Sequence, residues 1–230
     1  DAPALPALAA ATPGTLQSCT DLASKAALAN TTIASATLVA TGGLTVTGVT
    51  TPMPEHCLVK GEMNRRTSTV DGKSYAIGFE MRLPTAWNGR YFYQANGGID
   101  GSVVTATGPS GGGAPVSNAL QMGFAVLSSD AGHSGPPWWG LDPQARLDYG
   151  YQAVGSLTPM AKNLIKVAYG KAPDRSYFGG CSNGGRHAMI AAARYSDQYD
   201  GILAGAPGFH LPKAATAQLW KVQQYASIAS

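Results

Sequence analysis

The chain has 230 residues, 44% of them hydrophobic and 13% charged, with a formal net charge of +3. That apolar content suffices for a packed core. The charge is about half the usual ~25%, and the sequence has no basic run and no aromatic–basic interleaving, which argues against a nucleic-acid partner. No stretch of ~18 apolar residues is present to cross a membrane as a helix. With 29 glycines, the chain reads as a turn-rich, nearly neutral extracytoplasmic protein, secreted or periplasmic.

Residues 1–14 lack the basic start and apolar run of a signal peptide and are predicted to form a flexible Ala/Pro-rich tail or linker. Residues 16–28 follow as a short helix starting near Ser18 or Thr20. Residues 31–40 and 44–50 are Thr- and Val-rich and read as a hairpin across Gly42-Gly43. Strands are predicted at 56–63 and at 74–83, where Tyr75, Ile77, Phe79 and Met81 alternate with smaller or polar residues. Another is predicted at 89–95, ending in Asn96-Gly97-Gly98. A flexible stretch at 108–115 precedes a strand at 123–129 and a loop at 130–140. Residues 145–169 carry a long amphipathic helical pattern in which Pro159 introduces a kink. A strand at 176–179, a helix at 185–195, a strand at 201–206 closed by Pro207 and an amphipathic helix over 209–230 complete the chain. A β-meander followed by alternating strands and helices predicts the α/β class, with a mostly parallel sheet and helices on both faces.

Ser182 lies in Gly180-Cys181-Ser182-Asn183-Gly184, between a predicted strand and a predicted helix. Strand, Gly-x-Ser-x-Gly turn and helix together describe an elbow that presents a nucleophilic serine. Gly180 and Gly184 fit because the reversal leaves no room for a Cβ. The following helix points its N-terminal amides at the serine, where negative charge would develop. A second match, Gly108-Pro109-Ser110-Gly111-Gly112, has no strand before it and no helix after it, and is set aside. An oxyanion hole needs two backbone N–H donors. Asn183, next after the serine, is the first candidate. Gly98, with Gly97 close behind, is the second, because the loop at 96–98 follows a strand. The site residues read here are therefore Ser182, Gly98 and Asn183.

A serine also needs a general base and an acid to orient it. His56 lies in the first β segment. His133 precedes the serine and is expected to shape the site rather than act as base, and His187 is expected to pack inside the elbow helix. His210 follows the serine, with no strand-then-loop setting. The base and acid are therefore expected outside this chain. Asp130 and His133 lack a third metal ligand, and no Gly-Lys-Ser/Thr phosphate loop is present, so no cofactor is expected within these residues. Trp138-Trp139 reads as a loop anchor, or as a stacking surface for an aromatic substrate.

Three cysteines are odd in number. Cys19 and Cys57 flank the first β-rich segment and are the preferred pair, leaving Cys181 to find a partner elsewhere. In a reducing compartment all three would instead be free thiols.

The stretches 82–90 (Arg-Leu-Pro-Thr-Ala-Trp-Asn-Gly-Arg), 96–101 (Asn-Gly-Gly-Ile-Asp-Gly), 129–134 (Ser-Asp-Ala-Gly-His-Ser), 179–186 (Gly-Gly-Cys-Ser-Asn-Gly-Gly-Arg) and 199–207 resemble the tannase and feruloyl esterase family. That family includes enzymes hydrolysing mono(2-hydroxyethyl) terephthalate. The resemblance runs from about residue 15 onward, and the Cys-Ser pair inside the elbow is its specific part. It implies an α/β-hydrolase core whose N-terminal portion is residues 15–208, with a lid insertion beginning at 209–230 and a structural calcium ion in that lid. It further implies that Cys181 is disulfide-bonded to a cysteine beside the catalytic histidine, and that acid and histidine follow the lid. Those parts are expected in a C-terminal remainder of the same polypeptide, either a second chain linked through Cys181 or sequence lost from a fragment. The function expected is that of a serine esterase acting on small aromatic carboxylic esters, feruloyl or galloyl, through an acyl-enzyme on Ser182. Alternatives are hydrolysis of terephthalate monoesters or hydroxyalkanoate oligomers, or a non-catalytic binding module that keeps the fold.

Overall fold

The computed structural model describes residues 9–109, 118–135 and 137–228. Residues 1–8 of the expected tail and 110–115 of the expected flexible stretch, with Ser110 of the second Gly-x-Ser-x-Gly match, lie outside the described residues.

In chain order the elements are β1 (Gly14–Thr15), α1 (Leu22–Lys25), β2 (Thr31–Val39), β3 (His56–Thr67), β4 (Ser74–Pro84), β5 (Ala86–Trp87), β6 (Arg90–Ala95), β7 (Ala125–Ser129), α2 (Pro143–Leu147), α3 (Ala153–Tyr169), β8 (Arg175–Cys181), α4 (Asn183–Arg194), β9 (Gly201–Gly205) and α5 (Leu211–Ala226). Seven strands form one sheet in the order β2-β3-β4-β7-β6-β8-β9. The meander β2-β3-β4 and its junction with β7 are antiparallel, whereas β7, β6, β8 and β9 run parallel. The expected α/β core is present as a single mixed sheet that takes the meander in.

Alternation explains the two faces. Ile77, Phe79, Met81 and Leu83 of β4, Tyr91 and Tyr93 of β6, Leu127 of β7 and Phe178 of β8 share one buried cluster with Leu22 of α1, Val154, Leu157, Leu164 and Ile165 of α3, and Ala188 of α4. Tyr93 and Phe178 are register partners, and their rings stack at 4.6 Å. Helices were expected on both faces. Among the described residues the second face instead carries loop segments, whose Leu44, Val46, Val49, Met53, Ala106 and Leu120 pack with Val126 and Phe92. An apolar groove of about 360 Å³ remains open there, lined by Phe92, Phe124, Tyr177, Ile202 and Leu203 among others. It adjoins β9, whose outer edge has no partner among the described residues.

The strand expected at 44–50 is absent. Although the outer edge of β2 is free among the described residues, the Thr/Val-rich run packs Leu44, Val46 and Val49 as a loop against Met53, Leu120 and Val126, and burial of those side chains outweighs its strand propensity. The helix expected at 16–28 shrinks to α1. Leu16 donates to Thr85 O at 3.0 Å, Gln17 donates to Ala168 O at 2.8 Å, and Cys19 is disulfide-bonded to Cys57. Those tethers hold an extended entry to the helix. Residues just before β1 are also tied down, Thr12 N–H donating to Asp174 Oδ2 at 2.7 Å. The long helix expected at 145–169 is divided into α2, a π turn over Asp148–Gln152, and α3, which continues through Pro159.

The Cys19–Cys57 bond, the preferred pairing, closes a loop of sequence separation 38. Loop-closure entropy at that length is worth about 4 kcal/mol. Replacing both cysteines with alanine is expected to lower the unfolding free energy by about 3–4 kcal/mol in urea titrations. A loss below about 1 kcal/mol would mean that the loop is already ordered in the unfolded chain.

Candidate active site

Ser182 joins β8 to α4 with φ 59° and ψ −117°. For a non-glycine residue such a backbone costs of order 1–3 kcal/mol, and it persists only where its surroundings enforce it. Here Ser182 N–H donates to Gly205 O at 3.0 Å, and its carbonyl accepts from Gly208 N at 2.9 Å and Arg186 N at 3.0 Å. The flanking glycines make the bend possible. A Cβ at Gly180 would lie 2.7 Å from Ala95 O, and one at Gly184 would press against the same carbonyl and sit 3.1 Å from Asn96 O. Ser182 itself is exposed. It opens on a cavity of about 380 Å³ lined by Gln94, Ala95, Asn96, Gly97, Asp100, Ser102, Val104, Pro109, Gly180 and Cys181.

Asn183 is the first residue of α4, so its N–H has no acceptor within the helix. It lies beside the serine, at the positive end of the helix dipole. Gly97 lines the cavity. The adjoining Gly98 has φ 65°, and no atom lies within 4 Å of where its Cβ would be. Serine, Gly97 and the helix start thus meet at one end of the parallel strands, the usual place for a site in an open α/β sheet, and Gly98 is next along the loop outside the cavity lining.

Behind this surface lies a buried polar network. Asp100 Oδ2 accepts from Asn183 Nδ2 at 2.6 Å and from His187 Nε2 at 2.7 Å. Asn183 Oδ1 accepts from Tyr149 Oη at 3.0 Å and Arg186 Nε at 2.8 Å. The π turn serves this network: Arg186 Nη2 donates to Tyr149 O at 3.1 Å, and the guanidinium sits 4.3 Å from the centre of the Tyr149 ring. His133 Nε2 donates to Ile99 O at 2.8 Å, and its ring stacks on Trp139 at 3.9 Å. His133 therefore shapes the loop, and Trp139 is an anchor. Burial pushes the His133 imidazole below its ordinary value, keeping it neutral in that role.

Asp100 is not among the residues expected from sequence, and His187, expected only to pack inside the elbow helix, instead bonds to it. One signal was present: Asn183 and His187 are four residues apart and share a helix face. The other histidines lie elsewhere. His56 is buried between Pro54 O and Arg82, at 2.7 Å from each, and His210 precedes α5 with φ 48°. No histidine lines the cavity that holds Ser182. Asp130 is engaged by the N–H groups of Gly78 and Gly132. Cys181 is a free, partly exposed thiol at the end of β8.

Burial pushes the Asp130 carboxyl up to about 7, and Asp100 adds to the shift against the pull of the two backbone donors. The folded chain thus keeps this proton between about pH 4 and 7, where the unfolded chain has lost it, so stability from this group falls as pH rises through that window. Asp130→Asn keeps the acceptor without the charge. It is expected to match the wild type in melting temperature near pH ~4 and exceed it near pH ~8. A pH-independent difference would contradict the assignment.

The family model for tannase and feruloyl esterase matches residues 57–229. Mono(2-hydroxyethyl) terephthalate hydrolase from Piscinibacter sakaiensis is 44% identical over 187 residues, covering 77% of this chain and 31% of that protein. The crystal structure of feruloyl esterase B from Aspergillus oryzae superposes with a TM-score of 0.68 at 27% identity, over 83% of this chain and 37% of that one. Tannin acyl hydrolase from Aspergillus niger shares the fold, with a TM-score of 0.61 at 23% identity. The chain spans about a third of the length of the curated relatives it matches. On the match across β3 to α5 and on these likenesses, the chain belongs to the tannase and feruloyl esterase family.

Proposed function

We propose that this chain carries the nucleophile and the oxyanion hole of a serine esterase acting on small aromatic carboxylic esters. The observation that carries the reading is Ser182 held at positive φ on a glycine-lined elbow, facing a cavity at the N-terminus of α4. Ser182 Oγ attacks the ester carbonyl carbon as its proton passes to a histidine encoded beyond residue 230. The tetrahedral oxyanion receives the N–H groups of Asn183 and Gly98. The alcohol departs with the proton, leaving an acyl-enzyme, and water then releases the acid.

Cys181 supports this reading because it sits beside Ser182 with its thiol free. A disulfide from it to a cysteine next to the incoming histidine would hold base and nucleophile in register, whether the remainder is continuous or a second chain. The unpaired edge of β9 and the apolar groove beside it give that remainder a place to complete the sheet. Among the described residues no group of three or more His, Cys, Asp or Glu side chains is placed to hold a metal ion. The calcium implied by the resemblance therefore gets no donor set from them. No helix among the described residues is long and apolar enough to cross a membrane, and the reading places the enzyme in the periplasm or outside the cell.

The 44% identity to a mono(2-hydroxyethyl) terephthalate hydrolase favours terephthalate monoesters as a second reading over feruloyl or galloyl esters. Comparing kcat/KM of the polypeptide carrying the remainder on feruloyl, galloyl and terephthaloyl monoesters decides between them. A preference for one aromatic acid is expected. A complete, folded protein that turns over none of them and leaves Ser182 unlabelled by a fluorophosphonate is a binding module.

A further inference from the structure

We propose that Asp100 is the positioning residue of the oxyanion hole, its buried carboxylate locking the loop that carries Gly98 to the helix that carries Asn183. The proposal rests on the reading of Ser182 as nucleophile. The two N–H donors come from different segments, the loop after β6 and the first residue of α4. Catalysis needs both held within about 0.5 Å of the productive geometry. The loop is ill-suited to do this alone, since Gly98, Asp100 and Gly101 have φ of 65°, 56° and 86°, and Asp100 is not a glycine. His133 fixes the loop to the β7 side through Ile99 O; its charged tie to α4 is the Asp100 side chain, 2% exposed, which accepts at one oxygen from both Asn183 Nδ2 and the 4%-exposed His187. Such charge-assisted bonds are roughly twice as strong as neutral ones, and freeing the loop would strand a buried carboxylate.

The proton arrangement follows from the contacts. With Nε2–H of His187 donating to Asp100, the Arg186 Nη2 at 3.1 Å from the same nitrogen is a second donor. It supplies nearby positive charge rather than a hydrogen bond to His187. The Asn183 side chain has both donors engaged, with Asp100 Oδ2 and, at 3.4 Å, Asn96 O, and both acceptor sites engaged with Arg186 and Tyr149, so that residue offers substrate its backbone N–H only.

The test uses the polypeptide carrying the remainder and follows kcat and KM separately. Asp100→Asn keeps the shape and removes the charge. It is expected to lower kcat by about 10- to 100-fold, the scale of a misplaced oxyanion donor. KM should stay within about threefold, and affinity for a boronic-acid transition-state analogue should fall in parallel with kcat. His187→Gln retains a donor near Nε2 and should keep kcat within about threefold, whereas His187→Leu should lose about tenfold or more. Unchanged kcat in Asp100→Asn, or a rise in KM alone, overturns the proposal. If Asp100→Asn fails to fold, the His187 pair decides, and equal kcat for Gln and Leu overturns it. Ser182→Ala separates the two levels. Retained turnover there defeats the serine mechanism itself, while loss of turnover there with wild-type kcat in Asp100→Asn defeats only the role of Asp100.

Discussion

Ser182→Ala is expected to reduce kcat of the complete enzyme by about 10⁵- to 10⁶-fold, the scale seen when a triad nucleophile is removed. The melting temperature should hold or rise slightly. Ser182 is exposed, its hydroxyl has no partner among the described hydrogen bonds, and alanine keeps the backbone N–H that donates to Gly205 O. Alanine at φ 59° inherits the strain already present, so no new cost arises. Steady-state kinetics on the best ester, alongside thermal unfolding, checks both halves. Residual turnover within about 10²-fold of wild type would place the nucleophile elsewhere.

Gly184→Ala is the second large effect, and helix propensity alone gives it the wrong sign. Alanine favours a helix interior by about 1 kcal/mol over glycine, so α4 in isolation would gain. The added Cβ, however, would meet the Ala95 carbonyl, its carbon at 2.9 Å, and Asn96 O at 3.1 Å. All three are backbone atoms at the root of the loop bearing Gly98, and no flexible side chain can yield. Either that loop or the start of α4 must shift, and a displacement near 1 Å costs about 10²-fold in rate. Overpacking of this kind also destabilises by about 1–3 kcal/mol. The expected result is a kcat loss of about 10²-fold with a lowered melting temperature. Gly140→Ala, where nothing lies within 4 Å of the added Cβ, should change neither. Equal behaviour of the two variants would mean that the elbow is looser than its contacts imply.

These effects divide along the line between what could and could not be read from the residues. The elbow was legible because its requirements are local: glycines at fixed offsets, a strand before and a helix after. The strand alternation in β4 was legible for the same reason, as was the pairing of Cys19 with Cys57 across the first β segment. Residues 44–50 were misread because their β-branched composition describes a strand, while the packing of Leu44, Val46 and Val49 against Leu120 and Val126 depends on segments distant in sequence. Residues 16–28 were misread because a disulfide and two backbone bonds to distant segments outweigh the propensity of a short helix. The Asp100–His187 contact joins residues 87 positions apart, and no periodicity reports it.

The most direct measurement is peptide mapping after reaction of the complete, folded polypeptide with a fluorophosphonate, run without reducing agent. A single adduct on the peptide bearing Ser182 is expected, with the adjoining Cys181 recovered in disulfide linkage to a cysteine beyond residue 230. An adduct on a different serine, or none at all with Cys181 recovered as a free thiol, would contradict the account.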